Sequence, residues 1–336
     1  MNFKLSVLIP VYNVAPYIEK CLRSVFSNTI IADCEVIIVD DGSTDNSIQL
    51  VESLLPQFSE LKNNIVSLSH GSNKGSAFAR NTLLNHANGK YIIFVDSDDW
   101  VEPNYLEELY NVAEKENADI TGCDVFSEFP NRTEIKEQKI ESTGKDCIRS
   151  MFLTKTNGWL PLKFIKKELI EEHSITFVSD INILEDLIFA TKCFYYAQKT
   201  AYVNKPLYHY NRRSDSYMGS LTTEKKASEI VHAVSVIESF LSNKGENELF
   251  ESLLFLKIHL KKRILFKGVR SVQKKYIALW REIISVISAF PTSRFHRFVL
   301  SLAFHKPKTT EFLLLLYSFL RCLIKREKFS VYLKAK

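Results

Sequence analysis

The sequence lacks the marks of several protein classes. Six cysteines, Cys21, Cys34, Cys123, Cys147, Cys193 and Cys322, are scattered without a Cys-x-x-Cys pair, which argues against a structural zinc site. Their irregular spacing is no disulfide framework either, so reduced thiols in a cytoplasmic protein are expected. Long apolar runs are missing. The longest, Phe312 to Leu320, falls short of the roughly 20 residues that cross a bilayer. The apolar stretch at the N-terminus is short and broken early by Pro10, so it does not read as a signal peptide. No internal repeat or low-complexity segment is present.

What is there is a globular balance, 46% hydrophobic and 25% charged, with charge unevenly placed. Residues 1–219 carry 22 Lys and Arg against 30 Asp and Glu, net −8, and residues 220–336 carry 22 against 9, net +13, which together make the +5 of the whole chain. An acidic front and a basic tail predict that the tail meets an anionic surface. Membrane phospholipid is the first candidate for that surface and nucleic acid the second.

Strand and helix signals alternate through the first 100 residues. Leu5–Ile9, Glu35–Val39, Ile65–Leu68 and Tyr91–Val95 are short apolar runs. Between them Tyr17–Phe26, Ile48–Leu55 and Ser76–Ala87 carry apolar residues at helical spacing, the last expected to close at Gly89. Strands apolar throughout, separated by helices, predict an α/β fold with a mostly parallel sheet covered on both faces. Ligands bind such sheets beyond the carboxyl ends of the strands, where the polar clusters Pro10–Asn13, Asp40–Asp45, His70–Lys74 and Asp96–Asp99 stand. Further helices are expected at 105–118, 165–172 and 184–196, then a strand at 201–210 and a polar loop to Gly219. Beyond it 224–243, 246–269, 274–289 and 309–328 read as an all-helical extension. The division expected is a catalytic domain over 1–219, its halves 1–100 and 101–219 serving nucleotide and acceptor, and a basic helical region over 220–336.

The acidic cluster carries the most chemistry. Asp96-Ser-Asp-Asp99 follows an apolar strand, so its carboxylates project from a strand end. Such a concentration of oxygen ligands suits Mg²⁺ or Mn²⁺, which bind one or two carboxylates plus substrate phosphates. The same residues also suit a helix N-cap. Asp40-Asp-Gly-Ser-Thr-Asp45 reads either as a cap and turn or as a strand-end carboxylate for a base or ribose. In Asn73-Lys-Gly-Ser-Ala-Phe-Ala-Arg-Asn81, Gly75 lets backbone approach a ligand and Arg80 can reach a base or phosphate; an ordinary amphipathic helix is the alternative.

Taken in order, Ser6-Val-Leu-Ile-Pro-Val-Tyr-Asn13, Val39-Asp-Asp-Gly-Ser-Thr-Asp45, Asn73-Lys-Gly75 with Ala79-Arg-Asn81, and Phe94-Val-Asp-Ser-Asp-Asp-Trp100 strongly resemble the inverting glycosyltransferase family 2, which has the GT-A fold. The resemblance covers about residues 4–211. It implies that Tyr12 stacks on the base of a nucleotide-sugar donor in a pocket shaped by Pro10. Asp41 would hydrogen-bond the base edge, usually uracil, and Arg80 would line the same pocket. Asp96 would touch the ribose and Asp98 would bind the metal that bridges the diphosphate. Leu184-Glu-Asp-Leu-Ile-Phe189 looks like the family's Glu-Asp pair at a helix start, which implies Asp186 as the base that deprotonates an acceptor hydroxyl, with Glu185 beside it on the acceptor side. Both residues would also suit the helix dipole alone. Trp159 would border the acceptor, although Trp159-Leu-Pro-Leu-Lys163 departs from the family's Trp-x-Lys-Leu. Leu207-Tyr-His-Tyr-Asn-Arg-Arg-Ser-Asp-Ser216 resembles the flexible loop after the last strand. His209 would either complete the metal shell or, as a lone His beside tyrosines, pack in the core, while Arg212 and Ser216 would close over the diphosphate.

The function implied is transfer of a sugar, from a UDP-sugar, to a glycan or lipid-linked acceptor in cell-surface polysaccharide synthesis. No nucleic-acid partner is expected, and a homodimer is compatible with the sequence. A sugar-1-phosphate nucleotidyltransferase is the competing enzyme, but Pro10–Pro16 lacks the glycines that hold a triphosphate. A non-catalytic relative would be expected to lose Asp98 or Asp186, and both are present. In the tail, Lys257–Lys267 and Glu311–Arg326 interleave Leu and Phe with basic residues. They predict either helices lying on an anionic bilayer, at the inner face of a bacterial plasma membrane, or a bundle packed on protein.

Overall fold

A computed structural model describes residues 3–213 and 221–325. The chain divides into two compact units, Met1–Met151 with Lys155–Arg213, and Phe152–Thr154 with Ser214–Lys336. The expected boundary at Gly219, like Ser216, lies outside the described residues.

The first unit is built on nine strands: β1 (Leu5–Val11), β2 (Cys34–Asp40), β3 (Ile65–Ser69), β4 (Tyr91–Phe94), β5 (Trp100–Val101), β6 (Ile120–Phe129), β7 (Arg132–Lys136), β8 (Lys163–Lys166) and β9 (Thr200–Asn211). They form one sheet in the order β3-β2-β1-β4-β8-β6-β9-β5, with β7 on β6. The first four run parallel. β8 lies antiparallel between β4 and β6, β9 runs parallel to β6, and β5 closes the row antiparallel to β9. Seven helices accompany it: α1 (Ile18–Phe26), α2 (Ser47–Leu54), α3 (Ser76–His86), α4 (Tyr105–Glu116), α5 (Gly144–Phe152), α6 (Lys167–Glu172) and α7 (Glu185–Tyr196). Every residue of β2 is buried, as a parallel strand covered on both faces requires. The mostly parallel sheet expected from the sequence is therefore present, and an antiparallel strand is threaded through it. Ile165 and Lys166, expected in a helix, are the end of that strand, and α6 starts one residue later.

Pro10 sits in a central strand without costing a ladder bond. Val11 accepts from Asp41 and so faces β2, whereas Leu8 accepts from Val95 and faces β4. By alternation Pro10 turns its nitrogen toward β4, whose pairing with β1 ends at Leu8. Gly89 does not close α3 as a left-handed cap; the helix ends at His86. A Cβ at Gly89 would lie 2.4 Å from the backbone of Leu5. That close approach lets its amide donate to Ser6 Oγ and to the buried carboxylate of Glu35, at 2.9 and 3.0 Å.

The second unit is helical: α8 (Glu224–Asn243), α9 (Phe250–Lys267), α10 (Arg270–Tyr276), α11 (Arg294–His305) and α12 (Pro307–Lys325). The helix expected over 274–289 is instead the end of α10 and a 3₁₀ turn at Arg281–Ser285. A core of its own holds Ile258, Leu265, Ile283, Val299, Leu300 and Leu314. Lys257 turns inward between Glu238 and Glu282, and Lys261 donates to the Leu279 carbonyl at 2.6 Å. Among the described residues no helix is long and apolar enough to cross a membrane.

Candidate functional site

The polar strand ends assemble as the alternation of β and α elements predicts. Beyond β1, Asn13 takes a left-handed φ of 51° and its side-chain oxygen accepts from the amides of Thr44 and Asp45, at 2.7 and 3.3 Å. This joins the Pro10–Asn13 turn to the Asp40–Asp45 turn. Beside Asn13, Tyr12 is 44% exposed, an open aromatic face at the mouth of the sheet. Asp41 is buried. Its carboxylate accepts from the amides of Lys74 and Gly75 at 3.0 and 2.8 Å and pairs with His70 Nδ1 at 2.8 Å. Asp41 therefore orders the loop before α3, and a base edge would share a carboxylate that already holds three donors.

Gly75, expected to admit a ligand, admits protein. Its φ is +97°, and a Cβ there would lie 2.4 Å from the Asn182 side chain. Asn182 in turn accepts from the amide of Ala77 at 3.2 Å, satisfying a donor at the start of α3. Gly75→Ala is expected to destabilise the fold by about 1–3 kcal/mol through backbone strain, read as a lower melting temperature. Removing Asn182 from the variant should relieve the clash and leave the φ strain.

Arg80 departs from its expected place beside a base. It is buried, with Nη1 donating to Glu185 at 2.6 Å and Nη2 to Asp96 at 3.1 Å. It ties the first turn of α7 to the end of β4. Glu185 also accepts from Ser76 Oγ at 2.7 Å, so this carboxylate faces α3 and is not in the cavity lining that holds Asp186. The acceptor-side place expected for Glu185 is replaced by an anchor for α7. Just before it, Leu184 carries a left-handed φ of 65°, a strained conformation for a bulky residue, at the turn that feeds the Glu-Asp pair into the helix.

Asp186 lines a cavity of about 150 Å³ together with Asp96, Asp99, Trp159, Tyr208 and Tyr210. Burial, and then the neighbouring Glu185, push its carboxyl up to about 6, against the pull of Arg80. In the same lining, Asp99 is pushed well above the ordinary carboxylate range by burial and by Asp98 and Asp96. Asp99 is held by the Tyr208 hydroxyl at 2.7 Å and the Asn211 amide at 2.8 Å. Tyr208 also receives the Asp96 amide at 3.2 Å. Asp99 and Tyr208 thus build the acidic corner; the sequence singled out the run that contains Asp99 without giving Asp99 a role of its own, and Tyr208 did not stand out. The Asp-Ser-Asp-Asp run and the alternation of β9 were the available signals. Asp98 is not in the cavity lining; its carboxylate pairs with Arg213 at 2.9 Å. Asp96 and Asp99, rather than Asp98, share that lining with Asp186.

Trp159 meets this cavity with its ring 4.6 Å from that of Tyr210. Buried Lys163 supports it by donating to the Asn157 and Trp159 carbonyls at 2.9 and 3.3 Å, and burial lowers that ammonium to about 8. Arg212 lies over the other partner of this stack, its guanidinium 4.7 Å from the Tyr210 ring. Its Nε has no hydrogen-bond partner among the described residues. His209 does not complete a metal shell. Its Nδ1 engages Glu128 at 2.7 Å and its Nε2 Glu102 at 2.6 Å, and its ring is stacked between Trp100 and Phe126. Both ring nitrogens meet carboxylate partners, which pins the ring in place.

Among the described residues no three His, Cys, Asp or Glu side chains are grouped to hold a metal by themselves. A divalent ion that keeps substrate phosphates as ligands needs fewer. The chemistry of the corner fits one: Asp96, Asp98 and Asp99 are three carboxylates within four residues, a concentration of negative charge that a divalent ion would offset.

Comparisons agree with this architecture. GlyA of Streptococcus pneumoniae, a glycosyltransferase, is 33% identical over 262 residues, 72% of this chain and 35% of that one. The chain spans 35–62% of the length of three such relatives, GlyA among them. Staphylococcus aureus TarS, a poly(ribitol-phosphate) β-N-acetylglucosaminyltransferase, is 26% identical over 65% of this chain and 37% of its own length. The crystal structure of TarS 1–349 with UDP superposes with a TM-score of 0.61 at 20% identity, covering 97% of this chain and 92% of that one; TarS 1–349 is also known with UDP-GlcNAc. A Pyrobaculum calidifontis mannosyltransferase in complex with GDP-Man and Mn²⁺ superposes with a TM-score of 0.55 at 18% identity, covering 95% of this chain and 87% of that one. These likenesses show a common fold of the glycosyltransferase type. Residues 6–179, just over half of the chain, match the model of glycosyl transferase family 2, and the chain belongs to that family.

Proposed function

We propose that the chain is an inverting glycosyltransferase that moves a sugar from a UDP-sugar to a hydroxyl of a glycan or lipid-linked acceptor in polysaccharide synthesis. The observation that carries this reading is the cavity that Asp186 lines together with Asp96 and Asp99. The acceptor hydroxyl binds beside Trp159 and gives its proton to Asp186 as its oxygen bonds to the anomeric carbon. The bond from that carbon to the diphosphate breaks from the opposite face, so configuration inverts in one displacement. A carboxylate of pKa about 6 is ionised at neutral pH and basic enough to help, as a general base should be. Arg80 and Glu185 hold it in place. Tyr12 stacks on the base, Asp96 meets the ribose, and Arg212 turns from Tyr210 to the diphosphate. UDP as the nucleotide is supported by the UDP complexes of TarS. Mn²⁺ or Mg²⁺, held by Asp98 with Asp96 nearby, would neutralise the leaving diphosphate; the Mn²⁺ complex of the mannosyltransferase supports this. The place of action is the cytoplasm, at the inner face of a bacterial plasma membrane.

The test is UDP release from a panel of UDP-sugars with Mn²⁺, with and without EDTA. Release should depend on the metal, and Asp98→Asn should lower it by about 10²-fold or more, as loss of a charge-stabilising group does. Release that is indifferent to EDTA would remove the metal from the proposal. Failure of every UDP-sugar while a GDP-sugar reacts would replace the donor.

A further inference from the structure

The helical unit contains a cavity of about 730 Å³. Lys262, Arg263 and Lys267 of α9 and Arg321 of α12 line it, and among the described residues none of its lining is acidic. Its remaining wall is aromatic and aliphatic: Phe266, Tyr317, Leu320 and Ile324. His259 and His296 complete it, and both are lowered by burial and by neighbouring cations, Lys262 acting on each. This is a local excess of positive charge that a bound anion would relieve.

A second observation adjoins the first. Phe312, Leu316, Phe319, Leu320 and Ile324 are exposed, Ile324 at 84%, and their spacing of i, i+4, i+7, i+8, i+12 puts them on one face of α12. The opposite face, Thr310, Leu314 and Ser318, is buried. Leu320 and Ile324 belong to both the stripe and the cavity wall. The apolar face therefore runs directly into the basic cavity. A free phosphate would use the basic wall and leave the stripe bare, and a second protein copy would use the stripe and leave the basic wall unused. One ligand satisfies both.

We propose that this cavity binds the phosphate headgroup of an anionic phospholipid while the exposed face of α12 rests among the acyl chains. Basic side chains near an anionic surface and apolar side chains below the headgroups act in the same direction. The proposal rests on the peripheral membrane placement of the chain and supplies its binding site.

The experiment is flotation of the full-length protein with vesicles of phosphatidylcholine, with and without phosphatidylglycerol, alongside UDP release as an independent readout. Binding should require phosphatidylglycerol. Lys262→Gln with Arg321→Gln should weaken it about thirtyfold, two charges at roughly 1 kcal/mol each, with UDP release and melting temperature unchanged. Should that pair melt early, each single change is read separately, at about fivefold. Phe312→Ser with Leu316→Ser should also weaken binding. Equal binding by the variants, or equal binding to neutral vesicles, overturns the proposal. Displacement from vesicles by soluble glycerol phosphate would assign the cavity to a water-soluble phosphate ester. Dimers by light scattering that the Ser variant dissolves would assign the stripe to a second copy. Lost flotation with UDP release intact sinks the lipid site alone; lost release with flotation intact sinks the transferase reading alone.

Discussion

Asp186→Asn is expected to lower sugar transfer by about 10²–10⁴-fold, the range that a positioned general base supplies, while leaving the affinity for UDP and Mn²⁺ within about twofold of the parent. The substitution keeps the size of the side chain, and its backbone partner, the Leu187 amide at 2.8 Å, still finds a carbonyl oxygen. It removes the carboxylate proposed to accept the acceptor's proton. A pH profile gives a second check. The base works only when ionised, and its carboxyl is pushed up to about 6 by burial and by Glu185. Transfer by the parent should therefore hold steady above that value. Below it, transfer should fall about tenfold per pH unit. Residual activity of Asp186→Asn should lose that acid limb. Full transfer by Asp186→Asn, or equal loss of UDP binding, would assign the base to another residue.

Arg80→Met is expected to be the most destabilising single change in the first unit, by about 3–5 kcal/mol, because it strands a buried carboxylate. Glu185 would keep only the Ser76 hydroxyl, and Asp96 would lose its cation. For a unit of this size the melting temperature should fall by roughly 6–20 °C. Arg80→Met with Glu185→Gln should recover much of that loss, since the double change leaves no unpaired charge at that end. The pair separates structure from catalysis. Arg80 lowers the Asp186 carboxyl, so any folded Arg80→Met protein should show its acid limb displaced to higher pH. An unmoved limb would mean that Arg80 stabilises the fold without tuning the base.

Much of the architecture is a local property of the chain. The runs Leu5–Ile9, Glu35–Val39 and Tyr91–Val95 are too apolar for any place but a sheet covered on both faces, and they became β1, β2 and β4. The polar residues that follow each run had to lie at the strand ends, because successive parallel strands deliver their carboxyl ends to the same edge. Hence the turns that hold Tyr12, Asp41 and Asp96 could be placed by position, whereas their roles and the Glu-Asp pair at 185–186 came from the family resemblance. What could not be read was where a side chain turns once it arrives. Arg80 and Glu185 are 105 residues apart, and only the docking of α7 against α3 makes them partners, which takes Arg80 away from the nucleotide and Glu185 away from the acceptor. His209 was judged by its chemistry, yet its fate is set by register. β9 places it opposite Trp100 on one side and Phe126 on the other, so its ring is stacked and both nitrogens meet carboxylates. The same holds in the helical unit. Its basic and apolar residues are visible in the sequence, but only the packing of α9 against α12 gathers four cations around one cavity and leaves an apolar stripe along its rim. Periodicity and composition act within one element, whereas the direction and neighbours of a side chain depend on pairings that span the chain.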